Sequence, residues 1–365
     1  MPWMRRVEVI VTRKDDPDEK TIFNAHRIDF EVRSTVGWPA DTANITLFNL
    51  ALEEVKFLQN KNFGDMYIEI RAGYTEDERG VSGGGVNNYV DTKSKSETRI
   101  AITNTLPTIF SGIITNAVGY RRPPEHVTQL FCISKAYGAS TDFIQMKKIP
   151  PNTKLIDAIR SMCTDYGFGT ISTFGVEDSV LQTNMPRGRV FHDTFLEEFK
   201  KMLGEYNLLF SVTTGEIQIF PDTFGDKDAI DRMSKDREPI KLDANQVIGN
   251  PAAGICTYTL DTFLNPSFQP GMILDVSPLL GKELLVNGVT SVTGQGILLN
   301  TDQSVFRWAM EDKYFITEVV HHGSTHSIDY QTSVTALLGG NTVMGGKEAS
   351  WQQMYANSGM AMESF

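Results

Sequence analysis

The sequence contains few cysteines, and they are scattered. Among 365 residues only three are cysteine, far apart and without CxxC spacing: Cys132, Cys163 and Cys256. An odd, dispersed set of this kind argues against a disulfide framework and against a thiolate zinc site. We interpret all three as small buried apolar residues of a protein made in a reducing cytoplasm.

The chain also lacks a long apolar run. No window approaches the ~18 uninterrupted apolar residues of a membrane helix, so we expect no membrane-spanning segment. The N-terminal stretch "MPWMRRVEVIVTRKDD" has two arginines but no apolar run of signal-peptide length. Hydrophobic residues still make up 41% of the chain, which is enough to fill real cores. The length predicts two or three domains.

The chain also has fewer basic than acidic residues. Lysine and arginine number 34 against 45 aspartate and glutamate residues, which gives a net charge of −11. Such a surface repels phosphates, so we expect no sequence-specific nucleic acid binding, although the chain could surround DNA without gripping it. Two small basic patches, "YRRPP" at 120–124 and "MKK" at 146–148, could bind a partner.

Catalytic motifs are absent. There is no GxSxG elbow and no HExxH helix, and the glycine-rich "VSGGGVNN" lacks the lysine and hydroxyl of a phosphate loop. We interpret "TGQG" at 293–296 as a hairpin turn. We expect no catalytic, cofactor-binding or metal-binding residue and no cofactor.

Two groups of polar residues are alternative candidate sites. A metal could use histidines of "HHGSTH" with a nearby carboxylate, but adjacent residues of a strand point to opposite faces; the candidates are His321, His322, His326 and Asp329. The other histidines are isolated in sequence: His26, His126 and His192. A glycosidase would need facing carboxylates, which neighbouring residues on a helix or turn do not provide; the candidates are Glu197 with Glu198 and Asp15 with Asp16.

The commonest pattern in the sequence is an alternation of apolar and polar residues. This alternation predicts strands over much of both ends of the chain, at 6–13, 21–33, 43–48, 66–74, 109–120, 126–134, 207–220 (a hairpin turning near Thr214–Gly215), from 247 onward, and 314–338. Ile45 and Leu47 are expected to face a core. The polar segment 75–103 is long for a hairpin connection and is either functional or disordered.

Helical spacing is restricted to three segments. The first, 51–60, places Leu52, Val55 and Leu58 on one side, with Asn49 as its N-cap. The second, 152–166, is capped by Asn152 or Thr153 and has the apolar face Leu155, Ile156, Ile159 and Met162. The third, 193–206, follows an Asp193/Thr194 cap and has the apolar face Leu196, Phe199 and Leu203. The charged segment 221–240 is predicted to be a linker or exposed loop.

The order of four short motifs resembles the baseplate hub, or tail hub, proteins of tailed bacteriophages, a family that includes the hub portion of type VI secretion spikes. The motifs are "IDFEV…ANITLFNL" before a helix; "IEIRAGY…IFSGIIT"; the units "NTKLIDAIRSMCTDYGF" and "FHDTFLEEFKKMLGEYNLLFSVTTGEIQIF"; and "LNPSFQPGMILDV" followed by "YFITEVVHHGSTHSIDYQTSVTAL". In the last motif His322–Gly323 matches a His-Gly turn, and Thr332 matches a threonine of the final strand. The resemblance spans about 1–340.

This resemblance implies a mainly β, α+β fold in which two tube-like β-barrel domains flank a small α+β middle region. The implied division is 1–124, 125–240 with two small helix–strand units, 241–340, and a C-terminal tail at 341–365 that is flexible or ordered by a partner. Two departures stand out: Ala51 occupies a cap position where the family often has Ser or Thr, and the 75–103 segment is longer than expected.

The implied function is structural. Three chains would form a ring that adapts a sixfold tail tube to a threefold central spike and lets DNA pass, in the tail baseplate of a virion. The implied partners are the tail tube and spike proteins, with baseplate wedge and tape-measure proteins as further candidates, and residues 339–365 are expected to contact the spike. The alternatives are a tail-associated cell-wall hydrolase and the hub of a non-contractile tail or a phage-tail-like secretion machine.

Overall fold

The computed structural model describes most of the chain: residues 4–15, 20–36, 41–59, 65–75, 106–134, 147–165, 170–191, 194–213, 216–222, 227–242, 244–253, 257–277, 287–288, 292–293, 296–297 and 313–338. The 75–103 segment (apart from Thr75) and the 339–365 tail lie outside these residues, so the expectations for them stay predictions. The same holds for Asp16, His192, Asp193 and Cys256.

The N-terminal part is built from strands and one helix. Its elements are β1 (Met4–Arg13), β2 (Lys20–Phe23), β3 (Ile28–Thr35), β4 (Thr42–Phe48), α1 (Leu52–Gln59), β5 (Met66–Thr75), β6 (Thr108–Arg122) and β7 (Glu125–Ser134). Alternating side chains point to opposite faces of these strands: in β3, Phe30, Val32 and Ser34 are buried, whereas Glu31 and Arg33 between them are exposed. Ile45 and Leu47 are fully buried, as predicted.

The central part mixes short strands with helices. Its elements are β8 (Lys147–Ile149), β9 (Thr153–Lys154), α2 (Leu155–Asp165), β10 (Ile171–Thr173), α3 (Asp178–Leu181), β11 (Asn184–Met185), β12 (Arg189–Phe191), α4 (Phe195–Gly204), β13 (Leu208–Thr213), β14 (Glu216–Pro221) and α5 (Lys227–Asp236). The hairpin expected at 207–220 is confirmed, because Thr213 is the register partner of Glu216. The apolar face of α4 packs on β13, with Leu196, Phe199 and Leu203 all buried.

The C-terminal part is again mainly strands. Its elements are β15 (Ile240–Lys241), a 3-10 turn (Ala244–Gln246), β16 (Val247–Ala253), β17 (Thr257–Phe263), β18 (Ile273–Asp275), β19 (Asn287–Gly288), β20 (Val292–Thr293), β21 (Gly296–Ile297), β22 (Lys313–Ser324) and β23 (Tyr330–Leu338). The "TGQG" hairpin is confirmed by the pair Thr293 and Gly296. The fold is therefore α+β and mainly β, as predicted.

Strands of both ends join in one large sheet. Its order is β19-β16-β17-β23-β22-β3-β4-β7-β6-β5-β1-β2, with β18 beside β22 and β15 beside β18. Below, the "first sheet half" means β1–β7 and the "second sheet half" means the sheet strands from β15 onward. Each half has its own main core, one containing Val9, Ile45 and Ile70 and the other Leu260 and Val334, while Tyr330 of the second half is buried in the first core. Cys132 and Cys163 are buried free thiols, as expected.

The first sheet half extends past the expected boundary at Pro123–Pro124. Strand β7 continues the hairpin from β6, with Arg122 opposite Glu125, and it also pairs with β4 along its length. Its alternating residues Leu130 and Cys132 are buried in the core of the first sheet half. The strand 126–134 therefore packs with the N-terminal strands, although the sequence division assigned it to the middle.

Two element predictions are wrong. The segment 21–33 is not one strand: β2 pairs with β1 at the end of the sheet, whereas β3 pairs with β4 and β22 in its middle. The segment 221–240 is not only a loop, because it contains α5. The reason is a narrow apolar face, Ala229, Ile230 and Met233, which is buried although the rest of the helix is charged.

The predicted helix starts also need correction. Helix α2 begins at Leu155, and neither Asn152 nor Thr153 caps it: Asn152 adopts φ 63° and the Thr153 hydroxyl donates to the carbonyl of Pro150 at 2.8 Å. In α1, Val55 and Leu58 face the sheet, but Leu52 does not and is 69% exposed. Thr194 does occupy the N-cap position of α4, but its side chain makes no capping hydrogen bond there.

Candidate functional site at the junction of the two sheet halves

The two sheet halves meet where β3 pairs with β22. The antiparallel register runs from Thr35 opposite Glu318 to Asp29 opposite Ser324. Strand β22 also pairs with β23, so the junction lies inside the sheet and not at an edge. Any rotation of one half against the other would break this ladder, which makes the junction the element that fixes their relative position.

Gly323 lets the two halves approach at the junction. A Cβ atom at this position would lie 2.6 Å from Tyr330 Cδ2 and 3.1 Å from Phe30 Cε1. These two rings pack edge to face, with centroids 5.9 Å apart. The predicted His322–Gly323 turn is therefore wrong: both residues lie within β22, and the glycine is required by ring packing across the strand. Thr332 does lie near the start of the final strand, as expected.

Tyr330 ties the second sheet half to the first. Its hydroxyl accepts from the amide of Gly73 at 2.9 Å and lies within donating distance of the carbonyls of Arg6 (2.8 Å) and Gly73 (3.0 Å). The Tyr74 ring packs edge to face against it at 5.3 Å, and burial raises the pKa of Tyr330 strongly. The glycine of the "AGY" motif, Gly73, thus offers its backbone amide and carbonyl as hydrogen-bond partners for the hydroxyl of Tyr330.

The segment that connects β22 to β23 is stabilised by hydrogen bonds of its own side chains. Ser324 donates to Asp29 Oδ1 across the junction and accepts from the backbone amides of His326 and Ser327 at 3.2 Å each. The Thr325 hydroxyl accepts from the amide of Ile28 at 3.0 Å. The segment 325–329 is thus a turn, and the side chains of Ser324 and Thr325 link the end of β22 to the beginning of β3.

His321 is a buried structural residue. Its Nδ1 lies 2.9 Å from the Thr332 hydroxyl, which accepts from the amide of Asn265 at 3.0 Å. Burial lowers the pKa of His321 to about 4, so the ring is neutral at ordinary pH. This neutral imidazole on β22, hydrogen-bonded to Thr332 on β23, stabilises the β22–β23 hairpin.

A cleft of about 610 Å³ opens beside the junction. His322 lines it together with carboxylates and hydroxyls from both halves, among them Asp29, Glu31, Ser324 and Asp329. Asp29 is already bonded to Ser324 and to Arg27, and Asp329 to the Ser327 hydroxyl. Within the part of the chain that the structure describes, no group of three or more His, Cys, Asp or Glu side chains is arranged to hold a metal ion.

The remaining candidate residues do not converge on this cleft. His26 lies beside Glu54 at 4.0 Å, and the His126 backbone pairs with Asn49. Glu198 is buried on α4, with Lys201 at 3.9 Å, and its neighbour Glu197 lies on a different side of the helix. Among the described residues, no helix is both long and apolar enough to cross a membrane.

Asn49 has a role other than helix capping. It adopts φ 56°, its Oδ1 accepts from the amide of His126 at 3.0 Å, and its amide donates to the carbonyl of His126 at 2.7 Å. At the start of α1 it is Glu54 that makes the capping contact: its Oε2 accepts a hydrogen bond from the amide of Ala51 at 2.8 Å. The "FNL" motif therefore clamps the β6–β7 hairpin, and sequence reasoning missed this because the partner is distant.

Comparison with solved structures shows the fold alone. The chain is similar to a tail protein from Neisseria meningitidis MC58, with 8% identity, a TM-score of 0.51 and coverage of 91% of this chain and 96% of that one. A prophage tail protein from Listeria monocytogenes EGD-e has 8% identity, a TM-score of 0.46 and coverage of 95% and 97%. An Escherichia coli type VI secretion component, described as similar to T4 bacteriophage tail proteins gp27 and gp5, has 13% identity, a TM-score of 0.47 and coverage of 86% and 73%. No family model and no curated protein sequence matches the chain. The chain thus shares its fold, over nearly its whole length, with a tail protein.

Proposed function

We propose that this chain is the structural hub of a bacteriophage tail baseplate or of a related tail-like machine. Three copies form a ring in which each chain supplies two tube-like units, one from each sheet half. Six such units match a sixfold tail tube on one side, while the threefold symmetry of the chains matches a central spike on the other.

The observation that carries the proposal is the β3–β22 junction. It holds two β-rich halves, each with its own main core, edge to edge, as neighbouring units of a ring must be held. The Ser324–Asp29 hydrogen bond and the bond from the Gly73 amide to the Tyr330 hydroxyl are two further contacts between the halves. The fold shared with the Neisseria tail protein supports the same role.

The charge of the chain suits a conduit. A net charge of −11 disfavours adhesion of DNA, so a ring of these chains would let DNA pass. The proposed partners are the tail tube and central spike proteins, with wedge and tape-measure proteins as further candidates. The proposed place of action is the virion tail, whether contractile or not.

The proposal assigns no catalytic reaction to the chain. The polar groups at the junction are engaged with one another, as His321 is with Thr332 and Ser324 with Asp29. A peptidoglycan zymogram checks this part directly: clear lysis by the purified chain would replace the structural role with a hydrolase.

The main test is capture of the expected partners. The tagged chain is co-expressed with candidate tail tube and spike proteins of the same genome, and the complex is viewed by electron microscopy. The proposal predicts one ring with the tube protein on one face and the spike on the other. Failure of the chain to bind either protein would overturn it.

A further inference from the structure

The two sheet halves repeat one arrangement of four strands. In the first half the strand order is β4-β7-β6-β5, and in the second it is β17-β23-β22-β18. Neighbouring strands are antiparallel in both sets. Strands β4 and β17 each have seven residues, and they pair along their whole length with β7 and β23 respectively. Each of these strands of the first half therefore has a counterpart in the second.

A bulge at the same place in both halves aligns them residue by residue. The register between β6 and β7 shifts at Thr115, and the register between β22 and β23 shifts at Thr317. The Thr115 hydroxyl donates to the carbonyl of Phe131 at 2.8 Å, and the Thr317 hydroxyl donates to the carbonyl of Thr335 at 3.1 Å. Because bulges are specific local features, two of them at matching positions with matching hydrogen bonds indicate a repeated unit.

One edge of the repeated unit is covered in the second half and uncovered in the first. The bulges align residues 116–122 of β6 with residues 318–324 of β22. Residues 318–324 pair with β3 at the junction, and none of them is exposed. Strand β5 accompanies β6 only as far as Ile113, so 116–122 has no strand on this edge in the described part of the chain. All of these residues except Ala117 are exposed.

The uncovered edge of β6 carries apolar side chains. Val118 is 40% exposed and Tyr120 is 46% exposed, whereas their counterparts at the junction, Val320 and His322, are half-buried. An ordered strand with an unpaired backbone edge and apolar side chains is a template for a further strand. The edge of β6 therefore fits a strand that occupies the place that β3 has beside β22.

The counterpart of β3 in the second sheet half is β16. Strand β3 pairs with β4, with Ile28 opposite Leu47, and β16 pairs with β17, with Val247 opposite Thr262. Since β4 corresponds to β17, Leu47 corresponds to Thr262, and the two pairs occupy the same place in the repeat. The strand that follows β22 in the repeat is thus β3 in one half and β16 in the other.

Strand β16 lies at the outer end of the second sheet half. On its outer edge, β19 pairs with Ala252 and Ala253. Residues 247–249 have no strand partner on that edge among the residues that the structure describes, and Val247 and Ile248 are half-buried. The second half therefore presents a β3-like edge to its surroundings, while the first half presents a β22-like edge.

From this repetition we infer that β6 of one copy pairs with β16 of a second copy, antiparallel, as β22 pairs with β3 within one chain. The junction register then places Arg122 opposite Ile248 of the second copy, as Ser324 lies opposite Asp29. Because β19 occupies the edge beyond, the backbone pairing involves residues 247–249 of β16.

This contact explains how a ring of the proposed kind is joined. Each contact between copies brings a first sheet half beside a second sheet half, as the β3–β22 junction does within one chain. First and second halves therefore alternate, and a head-to-tail contact that repeats around an axis closes into a ring. The inference rests on the proposed hub function and names the strands that join its copies.

The first test is a disulfide across the proposed contact. The Ser324 amide donates to Asp329 in the turn, away from β3, so Ser324 and Asp29 form a non-hydrogen-bonded pair, in which the two Cα atoms are closest. The variant Arg122→Cys/Ile248→Cys should reproduce that spacing, which suits a disulfide. Under mild oxidation we expect species of two and three chains on a non-reducing gel, and their loss on reduction.

The matched control shifts the register by one residue. In Arg121→Cys/Ile248→Cys the first cysteine points to the opposite face of the strand, so this variant should stay a single chain. Each single-cysteine variant and the wild type, which contains Cys132, Cys163 and Cys256, should also remain uncrosslinked.

A second test removes a backbone donor from the uncovered edge. Arg121 corresponds to Gly323, whose amide points towards β3 because the next amide points away from it. The variant Arg121→Pro therefore loses an edge donor and keeps the β6–β7 ladder. Mass photometry over a dilution series should show assembly weakened about tenfold or more, whereas Arg121→Ala, which keeps the amide, should assemble like wild type.

The outcomes separate this contact from the hub proposal. If wild type forms a ring but the Arg122→Cys/Ile248→Cys variant does not crosslink, the contact is wrong while the hub stands. Equal crosslinking of the shifted pair, or equal assembly of Arg121→Pro and Arg121→Ala with the same thermal unfolding, also overturns the contact. A wild-type chain that stays monomeric with the proposed tube and spike partners overturns both.

Discussion

The hydroxyl of Tyr330 lies 2.9 Å from the amide nitrogen and 3.0 Å from the carbonyl oxygen of Gly73, a residue 257 positions earlier in the sequence. This contact joins the last strand of the second sheet half to β5 of the first. The two halves are therefore connected both by the backbone pairing of β3 with β22 and by a buried hydroxyl.

Removing that hydroxyl should destabilise the protein. We expect Tyr330→Phe to lower the free energy of unfolding by about 1–3 kcal/mol, because the buried Gly73 amide loses its partner. Urea unfolding measures the change. The matched control is Tyr120→Phe, where the hydroxyl belongs to an exposed side chain and the loss should stay within about 0.5 kcal/mol. Equal stability of the two variants would contradict the role of Tyr330.

Asn49 should be more sensitive to alanine than to glycine. Asn49→Gly loses only the bond to the His126 amide, roughly 1 kcal/mol, whereas Asn49→Ala must also hold a Cβ residue at φ 56°, which costs roughly 1–2 kcal/mol more. Hydrogen exchange of the His126 amide should accelerate in both variants. If alanine and glycine behave alike, the left-handed backbone is not what selects asparagine here.

Ala51 offers a stabilising substitution. Glu54 already accepts from the Ala51 amide, so a serine at this position would complete the reciprocal pair at the start of α1. We expect Ala51→Ser to raise the free energy of unfolding by about 0.5–2 kcal/mol, with Ala51→Gly as the control that adds no hydroxyl. A serine variant no more stable than the glycine variant would show that the Glu54 contact already satisfies this end.

His321 should make stability fall in mild acid. Its pKa is about 4 in the folded chain against 6.5 unfolded, so the unfolded chain binds the proton first as pH falls. The contribution is intact above pH 6.5 and declines as pH drops towards 4, by roughly 3 kcal/mol at most. His321→Gln should therefore lose less stability than wild type between about pH 7.5 and about pH 5.

A second buried group titrates in the same window with the opposite sign. Burial raises the pKa of Asp41 from 3.8 to about 7, so its contribution to stability falls as pH rises through that range. The difference between wild type and His321→Gln cancels this effect, since both retain Asp41. If the two proteins show the same pH dependence, His321 is not the titrating group.

Local patterns were sufficient to predict most strands and the α4 helix. Alternation in β3 and β4 identified Ile45 and Leu47 as core residues, and the spacing of Leu196, Phe199 and Leu203 identified a buried helix face. Helix α5 was not predicted, because only a narrow face of it, including Ile230 and Met233, is apolar and the segment around that face is charged.

Long-range contacts could not be predicted from local sequence. Asn49 has the composition of a helix cap, yet its partner His126 is in another hairpin. His322–Gly323 matched a turn by resemblance, whereas the glycine is required because the rings of Phe30 and Tyr330 meet there. In each case the deciding neighbour is remote in sequence, and no spacing rule identifies it.

The most direct test of the central claim is the number of copies in the assembled particle. Native mass spectrometry of the purified chain, alone and with the proposed tube and spike partners, measures this number. The hub account predicts a species with the mass of three chains that binds both partners. A chain that stays strictly monomeric under all these conditions, or that assembles only as an even-numbered complex, would contradict it.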